Sequence, residues 1–364
     1  MKIAVVGHIR HAIAPPFMGG MEAHCHHLVQ ALEHAGHDVT LFAARGSKAQ
    51  RLVEICDEPY ETKLPWARWR GTPELAAFQR DVFARTREGI KRGGFDVVHN
   101  NSLSPDLIDD LREARIPTVT SHHVPPFAAI RSAVARARDA LAQVFTVTSG
   151  HQLSLWDKER GTNMQVVSNG IELADWPQHA QRSDRVLWFG RIASTKGLRE
   201  AVAAVRLAGA KLDVVGTIEE ADYYAEHVEP YLGDDIRYLG HLAGEDLRSV
   251  VAQARAVLVT PMWDEPFGLV AAEAMACAVP VIAFDRGAMR EILGPCGVIV
   301  PAGDVEALAA AIAEADTLDG EPCRERIARL FSTDRMIAGY ERAYRQAISG
   351  ADLLRRVPAM AAVA

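Results

Sequence analysis

Glu273 stands alone among apolar neighbours in the stretch "LVAAEAMAC". An ionised carboxylate in so apolar a helix is costly unless something pairs with it or neutralises it. A ligand is one such partner, because a carboxylate accepts two hydrogen bonds from vicinal hydroxyls such as those of a ribose. Glu265 lies seven intervening residues upstream and opens the run "EPFGL". There Pro266 suits a helix start, Gly268 lets backbone approach a ligand, and the free N–H groups of the helix terminus form a site for phosphate. A second cluster, "FGRIASTKGL", follows a β-branched run directly. It puts Gly190, Arg191 and Lys196 on a loop at a strand's carboxyl end, with Gly197 leading into the next helix. A guanidinium fork and a compact ammonium together neutralise a diphosphate without a metal, although a solvated basic loop has the same composition.

Such residues need a scaffold that brings loop ends together, and the sequence reads as two α/β halves. In the first half the runs "KIAVVG", "HDVTLFAA", "FDVVHN", "IPTVTSH", "VFTVTS" and "MQVVSNG" alternate with helical stretches, the grammar of βα units and a parallel sheet. Between the first two runs lies "GGMEAHCHHLVQALEHAG", a glycine pair opening a helix and Gly36 closing it. Apolar periodicity lapses in "ELADWPQHAQRSD", then restarts with "RVLWFG", "KLDVVG", "IRYLG", "AVLVTP", "VPVIAF" and "GVIVP". Two doubly wound, Rossmann-like domains are expected, residues 1–175 and 185–330, facing each other across a cleft. A final helix over 331–348 crosses back to the first. In such sheets ligands bind beyond the carboxyl ends of the strands.

The bulk numbers agree with two ordinary domains. The chain has 364 residues, 49% apolar and 24% charged, far from the disordered regime. Its net charge of -7 disfavours a general nucleic-acid binder, which needs an excess of Lys and Arg for phosphate contacts. The five cysteines are odd in number, scattered and without CxxC spacing, so neither a disulfide framework nor a zinc knuckle is indicated. With no long apolar run and no secretory signal in "MKIAVVGHIRHA", a cytoplasmic location is expected.

Taken together, "EPFGLVAAE", "GRIASTKG" and "GGMEAHCHHLVQALEHAGHDV" resemble the retaining nucleotide-sugar glycosyltransferases of family 4, which have the GT-B fold. The resemblance extends from the Gly19–Gly20 loop to "AMREIL". It implies that Arg191 and Lys196 hold the donor diphosphate, beside Gly190, Pro266 and the backbone N–H groups of Phe267, Gly268 and Leu269. It gives Glu273 the ribose and Glu265 the hydroxyls of the transferred sugar. Gly20 would let the N-terminal loop approach the phosphate and acceptor, and His122, ending "IPTVTSH", would sit near the donor sugar. His123 is the register alternative, because successive strand side chains face opposite ways. The family departs from this chain at Ala278 and Val279, where relatives usually carry glycine before the proline, and in "DRGAMREIL", which has one glycine where many have two.

The function so implied is retaining transfer of a hexosyl group from a nucleotide diphosphate sugar to a hydroxyl-bearing acceptor. A UDP-sugar, plainly UDP-glucose, is the expected donor, and a small molecule, a lipid-linked group or a saccharide the acceptor. No cofactor or metal is expected, in keeping with the absence of a D-x-D motif. The alternatives are a UDP-sugar 2-epimerase on the same fold and a non-catalytic nucleotide-sugar-binding protein. His24 and His27 share a helix face in "HCHH", but no third zinc ligand stands at motif spacing. Trp66 and Trp69, among Lys63, Arg68 and Arg70, offer peripheral membrane contact, stacking of an aromatic or sugar acceptor or, as the better reading, solvated basic surface.

Overall fold

The computed structural model describes residues 1–156, 163–179 and 181–356. The tail "VPAMAAVA", expected to fray, lies outside the described residues. Two compact units emerge: one from Met1–Thr148, Leu153–Val167 and Ile337–Ala364, the other from Ser149–Gln152 and Ser168–Met336.

The first unit carries a seven-stranded parallel sheet of β1 (Lys2–Val6), β2 (Asp38–Ala44), β3 (Leu52–Cys56), β4 (Val97–Asn100), β5 (Thr118–His122), β6 (Gln143–Val147) and β7 (Met164–Val166), in the order β3-β2-β1-β4-β5-β6-β7. Ile3, Ala4, Val5 and Val6 are wholly buried, as expected of a central parallel strand covered on both faces. The helix Gly20–His34 returns over the sheet, burying Cys25, Leu28, Val29 and Leu32 as one stripe. It ends where Gly36, at φ +83°, turns the chain and His37 N–H donates to Leu32 O. The strand reading missed β3, an edge strand in which only Ile55 and Cys56 are buried, so its alternation is too weak to stand out.

The second unit has a six-stranded parallel sheet of β8 (Arg185–Phe189), β9 (Lys211–Val215), β10 (Ile236–Tyr238), β11 (Val257–Val259), β12 (Val281–Phe284) and β13 (Val298–Val300), in the order β10-β9-β8-β11-β12-β13. The order reverses between β8 and β11. That is the switch point at which a doubly wound sheet opens its binding crevice, and the two clusters singled out above leave these two strands.

The change of unit falls at Val167–Ser168, earlier than the polar stretch chosen from sequence. Backbone pairing explains the difference: Ile171 N–H donates to Phe331 O at 2.8 Å and Thr333 N–H to Ile171 O at 3.3 Å, fixing this segment to the second unit. The last helix, Thr333–Arg356, begins in the second unit and belongs to the first from Ile337 onward. Tyr340 and Tyr344 are buried there, and the Tyr344 hydroxyl is hydrogen-bonded to His99 Nδ1 at 2.6 Å. No described helix is long and apolar enough to cross a membrane.

Candidate active site

Gly190 ends β8, its N–H donating to Val215 O at 3.0 Å. The chain then passes through Arg191 to a short 3-10 turn, Ser194–Lys196, closed by Gly197 at φ +69°. Only glycine fits there, since a Cβ would lie 2.0 Å from Thr260 O. The Thr260 hydroxyl donates to Gly197 O at 2.9 Å and accepts from Trp188 Nε1–H at 3.1 Å, while Met262 N–H donates to Thr195 O at 2.9 Å. The loop after β8 is thereby fastened to the chain leaving β11.

That fastening brings two candidates together. Lys196 Nζ donates to Glu265 Oε2 at 2.6 Å, and Trp263 Nε1–H donates to the same oxygen at 2.7 Å. The Lys196 ammonium also lies 5.0 Å from the Trp263 ring centre, within cation–π range. Glu265 O accepts from Ala288 N–H at 2.8 Å, so backbone holds this residue as well. Its second oxygen, Oε1, has no hydrogen bond among the described residues. Arg191 Nη1 donates to Glu219.

The expected helix start needs correction. Pro266 lies on the loop, and the helix runs Leu269–Ala276 behind Gly268, which is its N-cap at φ +89°. A Cβ at Gly268 would meet Met289 Cε at 2.1 Å, so this glycine answers to packing as well as to any ligand. Pro266 O accepts from the Ser149 hydroxyl at 2.7 Å, and the Phe267 ring is buried edge-on against Phe331, centroids 5.6 Å apart. What these residues can offer an anion is backbone: the first N–H groups of the helix, at Leu269 and Val270, precede its first internal bond, from Ala271 N–H to Gly268 O.

Glu273 lies in the second turn of this helix between the buried pairs Ala271–Ala272 and Ala274–Met275. Its carboxylate has neither a hydrogen bond nor an ion pair among the described residues. Burial pushes its pKa up to about 7, with the positive charge of Arg248 opposing. A half-buried carboxylate of this kind without a hydrogen-bond partner is a ligand contact in waiting or a standing cost to the fold.

In the first unit Gly20 is the exposed first residue of its helix, behind an extended Gly19 with no side-chain cap. His122 does not reach outward: it is wholly buried, its ring stacked on Trp156 with centroids 4.0 Å apart and planes 18° apart. Burial lowers its pKa to about 3. The pleat turns His123 the other way, to within 4.1 Å of the His24 ring in the first turns of the Gly20–His34 helix. His123 is half-buried, and of the two it is the one presented beside Gly20's helix. Of the two, His122 is packed on Trp156 and His123 stands beside His24 on the helix Gly20–His34. No cluster of metal-ligating side chains occurs among the described residues. Trp66 and Trp69 are half-buried against the first unit's core, with Arg10 and Arg70 guanidinium carbons 5.8 and 5.6 Å from the Trp66 ring centre.

Residues 18–175 match the family model for Glycosyltransferase Family 4, and residues 183–315 match that for Glycosyl transferases group 1. The chain is a glycosyltransferase of family 4. Among its relatives, glycogen synthase of Mycobacterium tuberculosis is 27% identical, the alignment covering 86% of each chain. Phosphatidyl-myo-inositol mannosyltransferase of Mycolicibacterium smegmatis is 24% identical over 81% of this chain and 80% of the relative. Among solved structures, sucrose-phosphate synthase from Thermosynechococcus elongatus superposes with a TM-score of 0.75 at 21% identity, covering 96% of this chain and 100% of the other. An Anabaena protein solved with UDP-glucose gives 0.70 at 18% identity, covering 98% and 100%. The fold is GT-B. Three residues that hold the candidate loops were passed over in sequence reasoning: Trp263, Thr260 and Glu219. Trp263, a polar-tipped aromatic two residues before Glu265, was the one legible signal.

Proposed function

We propose that this family-4 enzyme transfers a hexosyl group, with retention, from a UDP-sugar to a hydroxyl of its acceptor, UDP-glucose being the plain donor. The observation that carries this reading is the meeting of Lys196, from the loop after β8, with Glu265, from the loop after β11, at the switch point of the second sheet. Lys196 and Arg191 neutralise the diphosphate, helped by the backbone N–H groups of Phe267, Gly268 and Leu269, which lead into the helix that starts at Leu269. Glu265 binds sugar hydroxyls through Oε1, and Glu273 binds the ribose. The first unit, which carries Gly20 and His123, binds the acceptor.

In the reaction the bond from the anomeric carbon to the diphosphate oxygen breaks, and the acceptor oxygen bonds on the same face. The acceptor's proton passes to the departing diphosphate. The protein's share is positioning and stabilisation of the charge that grows on the leaving group, and two cations with a helix terminus supply that without a metal. Relatives named as a glycogen synthase and as mannosyltransferases support glycosyl transfer and leave the sugar open. The test is diphosphate release from a panel of UDP- and GDP-sugars, with and without EDTA. UDP release that survives EDTA is expected; a strict requirement for Mg²⁺ or Mn²⁺, or preference for a GDP-sugar, overturns the corresponding part of the reading.

A further inference from the structure

Arg191 and Lys196 are each paired with a carboxylate, but the two partners are held differently. Glu265 is 13% exposed in its side chain and receives a second donor, Trp263, on the oxygen that meets Lys196. Glu219 is 25% exposed and meets Arg191, itself 34% exposed, at the rim of the same loop. The approach of Glu219 is built by backbone. Ile192 N–H donates to Thr217 O at 2.8 Å, and Glu219 N–H and Glu220 N–H both donate to Ile192 O, at 3.1 and 3.2 Å. The Glu220 carboxylate accepts from Ser194 N–H at 2.9 Å, closing the clasp. The loop after β9 is thus zipped to the loop after β8, and the zip carries the Glu219 carboxylate to the Arg191 guanidinium.

We propose that Glu219 is a resident counter-ion of the donor site, occupying the Arg191 fork until the donor's diphosphate displaces it, and so sets how tightly and how selectively the site takes a diphosphate. This rests on the assignment of Arg191 and Lys196 to the donor diphosphate. A guanidinium fork binds a carboxylate or a phosphate in the same planar fashion, so the two anions compete for it. The competition costs little for a ligand carrying several negative charges and much for one carrying a single charge. A half-exposed ion pair is weak enough to be exchanged. The carboxylate also keeps the arginine extended and compensated while the site is empty.

Glu219→Gln keeps the shape and removes the charge. Affinity is measured by titration calorimetry with UDP or GDP, whichever wild type binds more tightly, and with the corresponding nucleoside. Removing the competitor is expected to tighten diphosphate binding about three- to tenfold, to leave the nucleoside unchanged, and to lose most of the gain at 1 M salt, where the Debye length is only about 3 Å. Weaker or unchanged diphosphate binding overturns the proposal and makes Glu219 a positioning residue of Arg191 or a bystander. Equal tightening for the nucleoside overturns it too, since the effect is then not one of charge. Lys196→Ala in parallel separates the two levels. Lost diphosphate binding there with no gain in Glu219→Gln refutes the counter-ion alone, whereas intact binding in Lys196→Ala refutes the donor-site assignment on which it rests.

Discussion

The carboxyl ends of the two sheets are built from opposite materials. Beyond β8, β9 and β11 stand full charges, Arg191, Lys196, Glu219 and Glu265, all partly open and each set against its opposite. At the carboxyl ends of β4 and β5 and on the helix Gly20–His34 stand neutral hydrogen-bonding groups, His99, Asn101, Ser121, His123 and His24. His99 is hydrogen-bonded to Tyr344 and to Ser121, which is hydrogen-bonded to Thr146 at 2.7 Å. Burial lowers the pKa of His99 to about 3 and of His123 to about 4, and drives that of His24 well down. One sheet end is suited to a charged diphosphate, the other to uncharged hydroxyls.

The contrast extends to pH. The buried histidines are neutral in the fold and protonate near 6.5 when unfolded, so their contribution is present above pH 6.5 and is lost as pH falls toward 4 and 3. Glu273 has the opposite sign, its folded pKa of about 7 lying above the ordinary 4.5. Its contribution is present below pH 4.5 and is lost as pH rises through 7, where the fold comes to hold an ionised carboxylate with no partner.

Removing charge from the second sheet's end should give the largest effect. Lys196→Ala is expected to lower turnover by roughly 10² to 10³ fold, about 2.7 to 4 kcal/mol, with the fold intact because the residue is on a loop. Steady-state rates beside a melting curve check both. At the first sheet's end the neighbouring histidines should separate. His122→Ala empties the space against Trp156 and is expected to lower stability by about 2 to 4 kcal/mol, read by urea unfolding. His123→Ala should leave stability nearly unchanged and lower turnover about five- to tenfold, as loss of a hydrogen bond worth about 1 to 1.4 kcal/mol near the reacting groups does. Equal behaviour of the two would erase the distinction drawn from their burial.

The smallest effect belongs to the scaffold of the charged end. Ala278 sits at φ +56° after the helix of Glu273, in a closing turn where Val279 N–H donates to Ala274 O and Ala278 N–H to Met275 O, both at 3.0 Å. This turn favours glycine, and Ala278→Gly should raise stability by about 1 kcal/mol, measured as a shift in the thermal midpoint.

Legibility followed the same division. The glycine- and charge-marked loops of the second unit announced themselves, because clustered cations and a lone carboxylate break local hydrophobic patterning. The strands were readable for the same reason, β3 excepted. Which of His122 and His123 faces inward was not readable, since it depends on where Trp156 packs. Glu219 acts through Arg191, a partner 28 residues away, and nothing in its own neighbourhood records that partner. The helix start three residues beyond Pro266 was hidden because Gly268 caps from the left-handed region, and proline looked the better opener.

The central claim is that the lone carboxylate of Glu273 waits for a ligand, and proton release on binding tests it most directly. Hydroxyls that donate to the carboxylate favour its ionised form, so UDP should drive the pKa down from about 7. Calorimetry near pH 7 in two buffers of different ionisation enthalpy should then show about half a proton released per UDP bound. Glu273→Gln should abolish the release and weaken UDP and UDP-sugar alike, about 10 to 150 fold, while Glu265→Gln weakens only the UDP-sugar. If Glu273→Gln binds UDP as tightly as wild type and releases the same protons, the carboxylate faces no ribose and the account of the donor site is wrong.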